Sequence, residues 1–290
     1  MNISELLSDQ NPSYLHVGKA NRYIAKCVTE NRPKLVGRFG SIEGRVVGHY
    51  LLGLTDKNDH VLPRVAQSNA GICRPSKRTL KHFACEYISA AANVDLLAAW
   101  NFPHQSKLAE LTDPSRMTRL SFIDPVYALS QSLTPWTKSL EGKRVLVIHP
   151  FKSTIQQQYE RRREIPVLAS MLPNFDLQII QPPVTTGANI EYEYPWAHYL
   201  SALKREVLKY EFEVAIIGAG SYGLPIASFI KTLGKPAIHL GGVTQLMFAI
   251  MGKRWESVNY VASLDKSGWV RPRADETPRY ANSIEDGCYW

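Results

Sequence analysis

Apolar and polar positions along the chain follow two periods in turn, one typical of strands and the other of helices. Short apolar and β-branched runs predict strands at residues 34–38, 95–99, 119–123, 144–148, 177–180, 214–217 and 237–240. Between them, apolar residues recur at helical spacing, as from Ser41 to Leu51. Strands that alternate with helices are typical of a parallel sheet covered on both faces, so the sequence predicts an α/β fold with a mostly parallel sheet.

Further helices are predicted from a cap at residues 11–13 to Glu30, over 77–92, after a cap at Ser153, and over 222–233. The proline-marked stretch 125–140 is predicted to join two halves, 1–125 and 141–265, of one domain that spans residues 1–290. A tail of residues 266–290 follows, and its aromatic residues predict that it packs against the body, at Trp269, Tyr280, Tyr289 and Trp290.

Residues 181–194 form a long segment without periodic pattern and contain Glu191 and Glu193. Loops of that length inside compact domains are uncommon and are often functional. The segment therefore belongs to the candidate site.

The strongest local signal lies in residues 214–255, where a strand, a glycine-rich turn, a helix, a second strand and a second glycine turn follow one another. Gly218, Gly220 and Gly223 spell G-x-G-x-x-G, the pattern of dinucleotide-binding units. That pattern needs a carboxylate about 20 residues further on to bind the ribose, and residues 214–251 contain no Asp or Glu. The sequence therefore favours an anion site without NAD, and it leaves open that the glycines only pack a helix against the sheet.

Ligands of open parallel sheets bind beyond the carboxyl ends of the strands. Here those ends carry cations, glycine turns, hydroxyls and carboxylates, at residues 38–43, 149–152, 182–194, 218–222 and 239–245. That combination suits a diphosphate and a sugar. Plainer explanations stay open, because Arg38 could form an ion pair, Glu43 could favour the dipole of its own helix, and His239 could be a satisfied core histidine.

Composition narrows the class of protein and of partner. With 44% hydrophobic and 21% charged residues, the chain is typical of globular proteins. Its net charge of +8 predicts acidic partners. The basic residues lie in short groups without aromatic interleaving, which argues against nucleic acid as the partner.

The first fifteen residues lack a basic region followed by an apolar stretch, so a cytoplasmic protein is expected. The charge would also suit peripheral contact with the inner membrane face.

Several motifs together resemble the bacterial GT-D-type glycosyltransferases, Rossmann-like sugar transferases once grouped as a domain of unknown function. The resemblance extends from about Leu35 to Trp290, and it is the order and number of the motifs that carries it. They are Arg38-Phe39-Gly40-Ser41-Ile42-Glu43, Asn69-Ala70-Gly71, residues 142–151, Gly234-Lys235, Ala237-Ile238-His239-Leu240-Gly241-Gly242 and Gly252-Lys253-Arg254-Trp255.

The resemblance implies a nucleotide-sugar donor, usually a UDP-sugar, and a divalent metal held by an Asp-x-Glu motif after the first strand. Ser41 stands in the place of the aspartate, and Glu43 matches the glutamate. Mn²⁺ and Mg²⁺ prefer carboxylate and phosphate oxygens, so a neutral hydroxyl at Ser41 weakens the expected metal site. Cationic side chains could neutralise the leaving diphosphate instead.

These observations predict a glycosyltransferase that moves a sugar to a hydroxyl of a growing glycan or lipid-diphosphate-linked acceptor. Glu43 and His239 are the candidate bases, with Glu43 also the metal ligand. The predicted donor-binding residues are Arg38, Gly40, Ser41, Asn69, Lys152, Gly218, Gly220, Ser221, Tyr222, Gly241, Gly242, Gln245 and Arg254. Two alternatives remain, a non-catalytic nucleotide-sugar-binding relative and an NAD-dependent oxidoreductase.

Overall fold

The computed structural model describes residues 3–187 and 192–290. Seven strands in that part of the chain form one sheet. They are β1 (Leu35–Gly37), β2 (Leu96–Ala99), β3 (Arg116–Arg119), β4 (Arg144–Ile148), β5 (Asp176–Ile180), β6 (Val214–Ile217) and β7 (Ala237–His239).

The α-helices surround this sheet and connect its strands. They are α1 (Ile3–Leu6), α2 (Val17–Thr29), α3 (Ser41–Leu52), α4 (Leu62–Ser68), α5 (Lys77–Ala91), α6 (Gln105–Thr112), α7 (Pro125–Ser130), α8 (Lys152–Glu160), α9 (Pro166–Met171), α10 (Trp196–Val207), α11 (Gly223–Thr232), α12 (Val243–Leu246) and α13 (Asn259–Ala262).

The strands lie in the order β3-β2-β1-β7-β6-β4-β5, and every pair is parallel. Successive side chains of a strand point to opposite faces, and in β4 Leu146 and Ile148 enter one core while Val145 and Val147 enter the other. Helices cover both cores. The predicted α/β sheet with helices on both faces is confirmed.

The predicted strand at 119–123 is wrong. β3 ends at Arg119, and residues 120–123 turn into a 3₁₀ helix that buries Phe122 and Ile123. The chain before α2 also differs from the prediction, because Leu15 N–H donates to Met117 O at 2.7 Å and holds this segment beside β3. The helix therefore begins only at Val17.

The expected cap at Ser153 is also wrong, since α8 already begins at Lys152. The carboxylate of Glu276, far along the chain, accepts hydrogen bonds from Ser153 N at 2.5 Å and from Thr154 N at 3.2 Å. A carboxylate near a helix N-terminus is stabilised by the unpaired N–H groups and by the helix dipole. The cap is thus supplied by the tail.

Four strands that neighbour one another in the sheet, β1, β7, β6 and β4, bring their carboxyl ends together. The register pairs Ile148 with Ile217, and Ile217 with His239. The residues that follow these strands therefore meet at one place, although they are far apart along the chain.

The tail lies across this same edge. Gln245 Nε2 donates to Tyr289 O at 3.2 Å, and Arg254 N donates to Cys288 O at 3.1 Å. The Trp290 ring packs against Phe151, with centroids 6.2 Å apart. Within the two described ranges, no helix has the length and apolar character needed to cross a bilayer.

Candidate active site

A cavity of about 440 Å³ opens over the carboxyl ends of the four central strands. All but two of the predicted site residues line it, namely Arg38, Gly40, Ser41, Glu43, Asn69, Gly218, Gly220, Tyr222, His239, Gly241, Gly242, Gln245 and Arg254. The structure therefore brings together residues that the sequence placed on four separate strand ends.

Arg38 follows β1 and lies over the Trp100 ring, 5.2 Å from its centroid. Its Nε donates to Phe39 O at 3.2 Å, and Trp100 Nε1 donates to the same oxygen at 2.9 Å. In the described part of the chain no carboxylate forms an ion pair with Arg38, so the ion-pair explanation does not hold there. Its charge is directed to the cavity.

Glu43 lies in the first turn of α3, and its carboxylate folds back over the start of the helix. A Cβ atom on Gly40 would lie 1.8 Å from Glu43 Oε2, so a larger residue at position 40 would have to displace the Glu43 carboxylate. Burial raises the pKa of Glu43, and the nearby Arg38 guanidinium opposes that rise. A carboxylate with a raised pKa is a stronger base, once ionised, than an ordinary one.

His239 ends β7 and is almost fully buried. Its Nδ1 lies 3.3 Å from Ile217 O, and because a carbonyl only accepts, this contact places the ring proton on Nδ1. Burial, followed by the charge of Arg38, lowers the pKa of His239 to about 3. The imidazole is therefore neutral at physiological pH, and it is a weaker proton acceptor than Glu43.

His149, which follows β4, also lines the cavity and is almost fully buried. Phe151 N donates to His149 Nδ1 at 3.1 Å. Burial lowers the pKa of His149 to about 3, so this ring is neutral as well.

The glycines after β6 mainly permit close packing. A Cβ on Gly218 would lie 2.6 Å from Gly241 O and 2.7 Å from His149 Cδ2, and one on Gly223 would lie 2.2 Å from His239 Cε1. These distances are far below van der Waals contact. The packing explanation that the sequence left open therefore applies to Gly218 and Gly223.

The start of the following helix has fewer free N–H donors for an anion than the sequence predicted. Ser221 N donates to Ala70 O at 3.3 Å, and Tyr222 N donates to Ala219 O at 3.1 Å. Because both N–H groups already have acceptors, they contribute little to phosphate binding without a rearrangement.

The turn after β7 combines unpaired N–H groups with a neighbouring cation. Within the described residues, the N–H groups of Gly242 and Val243 have no acceptor. Arg38 lies beside this turn, since a Cβ on Gly241 would be 2.9 Å from Arg38 Nη1. A guanidinium next to unpaired N–H groups is a suitable environment for an anion.

Gln245, buried below this turn, donates from Nε2 to Ile250 O and Tyr289 O, both at 3.2 Å. These two carbonyls fix the orientation of its amide. Gln245 Oε1 has no partner among the described residues and is fully buried, so it is an unpaired acceptor inside the protein, beneath the cavity wall.

The second cation of the cavity, Arg254, is already neutralised. It forms an ion pair with Glu285, and its guanidinium lies 4.6 Å from the centroid of the Tyr289 ring. Arg254 therefore holds the tail in place, and Arg38 is left as the cavity arginine that forms no ion pair with the described residues.

Two predicted residues lie outside the cavity lining. Lys152 is exposed at the start of α8, where the helix points the side chain to solvent. Ser221 is buried, and its Oγ accepts a hydrogen bond from Trp196 Nε1 at 2.9 Å. Neither side chain is placed to contact a ligand in the cavity.

The long loop after β5 forms one wall with residues 182–186. Thr185 Oγ1 donates to Gly71 O at 2.5 Å and lies 3.0 Å from Tyr222 Oη. Glu193 is exposed and does not line the cavity, while Glu191 lies outside the described residues. Among the described residues, the loop therefore contributes proline, valine and threonine side chains to the cavity, and Glu193 is not among them.

Sequence reasoning missed two parts of the site. His149 stood in the selected motif after β4, where Lys152 was chosen for its charge although His149 is the first residue beyond the strand. The tail residues Glu276, Glu285, Tyr289 and Trp290 also line the cavity. No sequence signal indicates this beyond the aromatic content of the tail, because their contacts span long separations along the chain.

The residues do not fit the divalent metal that the family resemblance implies. No group of three His, Cys, Asp or Glu side chains that could hold a metal occurs in the described residues. Glu285 is engaged with Arg254, and the Arg38 charge next to Glu43 would repel a cation. Ser41 contributes only a neutral hydroxyl.

No family model and no curated protein matches the chain. Two solved structures are similar to it. One is of a domain of unknown function, DUF1792, with 12% identity, a TM-score of 0.44 and coverage of 94% of both chains. The other, described as showing that this highly conserved domain has a distinct glycosyltransferase fold, has 13% identity, a TM-score of 0.42 and coverage of 80% of this chain and 78% of that one. No residue role follows from either similarity.

Proposed function

We propose that this protein is a glycosyltransferase that uses a nucleotide-diphosphate sugar, most simply a UDP-sugar, and transfers the sugar to a hydroxyl group. The observation that carries the proposal is the presence, in one cavity, of Arg38, which forms no ion pair with the described residues, and of a carboxylate of raised pKa, Glu43. Transfer of this kind needs stabilisation of a departing diphosphate and deprotonation of the acceptor hydroxyl.

In the proposed reaction, the diphosphate lies between the Arg38 guanidinium and the N–H groups of the turn after β7. Charge that develops on the leaving oxygen is stabilised there. The Glu43 carboxylate removes the proton of the acceptor hydroxyl. The bond between the anomeric carbon and the diphosphate oxygen breaks, and a bond from that carbon to the acceptor oxygen forms. The acceptor is a glycan or a lipid-diphosphate-linked glycan, and the net charge of +8 would favour work beside an anionic inner membrane surface.

Calorimetric titration with UDP and UDP-sugars tests the proposal, with NADH as the control ligand. We expect saturable UDP binding that Arg38→Met weakens by about 10-fold or more, because a hydrogen bond to a charged group contributes about 1.5–3 kcal/mol. Lys152→Ala is the matched control, since it removes a cation that does not line the cavity. Equal loss in both variants, or no UDP binding, would contradict the proposal, and saturable NADH binding would favour the oxidoreductase.

The same titration, run with Mn²⁺ and then with EDTA, addresses the metal. Because the donor set does not fit a divalent cation, we expect UDP binding to survive EDTA. A strong dependence on Mn²⁺ would mean that the ligand phosphates complete a metal site around Glu43.

Ser41 favours a second candidate, a relative that binds nucleotide sugars without catalysis. The substitution Ser41→Asp separates the two functions in an assay of sugar transfer. A large gain in activity would indicate an enzyme whose metal-dependent catalysis has decayed, whereas an active parent with no gain would indicate a site that works without the aspartate.

A further inference from the structure

The two cavity histidines differ in which ring nitrogen has a backbone partner. His149 Nδ1 receives the N–H of Phe151 at 3.1 Å. A backbone N–H can only donate, so Nδ1 is bare and the proton of the neutral ring is on Nε2. His239 has the reverse arrangement, because its Nδ1 faces the carbonyl of Ile217. Its proton is on Nδ1, and Nε2 carries the lone pair.

Neither Nε2 atom has a hydrogen-bond partner among the described residues, and neither is sealed inside the protein. Both residues line the cavity. The two rings therefore present opposite groups to a ligand, an N–H donor at His149 and a bare acceptor nitrogen at His239.

We propose that His149 is a phosphate-binding residue whose Nε2–H donates a hydrogen bond to a phosphate oxygen of the ligand. The bare Nε2 of His239 repels phosphate and accepts a hydrogen bond from a ligand hydroxyl. An ionised phosphate oxygen only accepts hydrogen bonds, so it can pair with His149 and not with His239. The pair would fix which way the ligand enters. The identification of the phosphate as the diphosphate of a nucleotide rests on the proposed function.

The packing around His149 supports this role. Cδ2, the ring atom bonded to Nε2, lies against Gly218, where a Cβ would approach it to 2.7 Å. The Phe151 ring contacts the imidazole edge to face, with centroids 4.8 Å apart. The ring cannot flip without losing the bond from Phe151 N, so the donor is held in place before a ligand arrives, which lowers the entropy cost of binding.

Nitrogen-15 NMR of the histidine side chains tests the tautomers without any ligand. We expect His149 as the Nε2–H form and His239 as the Nδ1–H form, both without titration between pH 5 and pH 8, since burial holds both pKa values far below that range. Assignment comes from the loss of one signal in His149→Gln and of the other in His239→Gln. An Nδ1–H form at His149 would overturn the proposal.

Titration with inorganic pyrophosphate and with UDP then tests the contact. We expect the His149 Nε2–H signal to shift while the His60 signal, from an exposed residue, does not. His149→Phe should weaken pyrophosphate binding by about 10-fold, and His149→Gln, which keeps an N–H near the same place, should restore much of it. His60→Phe is the control substitution.

The outcomes separate this inference from the function. Binding of pyrophosphate at His149 without binding of UDP would refute the nucleotide-sugar proposal and leave the role of His149 standing. A His149 signal that neither pyrophosphate nor UDP moves would refute the role of His149, even if UDP binds elsewhere in the cavity. Folding of each variant is checked by its thermal unfolding, and the Gln variant keeps the test valid if the Phe variant does not fold.

Discussion

A buried carboxylate away from the cavity makes the protein lose stability as pH rises. Asp124 is fully buried, where its side chain caps α7 by accepting from Val126 N at 2.8 Å and accepts from Tyr260 Oη at 2.7 Å. These hydrogen bonds favour the ionised form, but burial outweighs them and raises the pKa from 3.8 to about 6. The folded state therefore binds a proton more tightly than the unfolded state.

Because the folded pKa is the higher one, the stabilisation is fully present well below pH 4 and is lost as pH rises through 6. A rise of about 2 pKa units corresponds to about 3 kcal/mol, at about 1.4 kcal/mol per unit. Asp124→Asn removes this dependence and keeps an oxygen that can cap the helix. About 0.6 kcal/mol of this is already lost at pH 4, so the free energy of unfolding of the parent minus that of the variant should fall by about 2.4 kcal/mol between pH 4 and pH 7.

Urea unfolding of both proteins across that pH range measures the difference. Asp9→Asn, at an exposed position, is the control for loss of a carboxylate without burial. A difference between parent and Asp124→Asn that stays constant with pH would refute the argument, because it would mean that Asp124 has the same pKa in the folded and unfolded states.

Three further predictions concern the site. Glu43→Gln should remove most sugar transfer while UDP affinity stays nearly unchanged, and an unaffected rate would exclude Glu43 as the base. Gly223→Ala should cost about 1–3 kcal/mol of stability, because its Cβ would lie 2.2 Å from His239 Cε1; an unchanged thermal midpoint would contradict that contact. Arg254→Met should speed proteolytic cleavage of the tail, because it breaks the ion pair with Glu285 and the contact with Tyr289; cleavage at the parent rate would show that other contacts hold the tail.

The local sequence pattern was sufficient to predict most strands of the sheet. The run Arg144–Ile148 is a strand as predicted, because β-branched and apolar residues in a short run suit a position buried on both faces. The strand predicted after Arg119 is wrong because Phe122 and Ile123 are apolar for another reason. They are buried under the chain around α2. Apolar character reports burial, but in a short segment it does not distinguish a strand from a 3₁₀ turn.

The sequence by itself determined the carboxyl ends of the four central strands to within one residue, and so it determined which residues could meet, such as Arg38, Gly218 and His239. It could do this because parallel strands all place their carboxyl ends at the same edge. Only the tertiary structure decided what each group is free to do. Ile217 O, 22 residues away, sets the tautomer of His239, Glu285 neutralises Arg254 and not Arg38, and residues of the tail line the cavity. Those outcomes depend on contacts and burial between residues far apart in the chain, which no local pattern records.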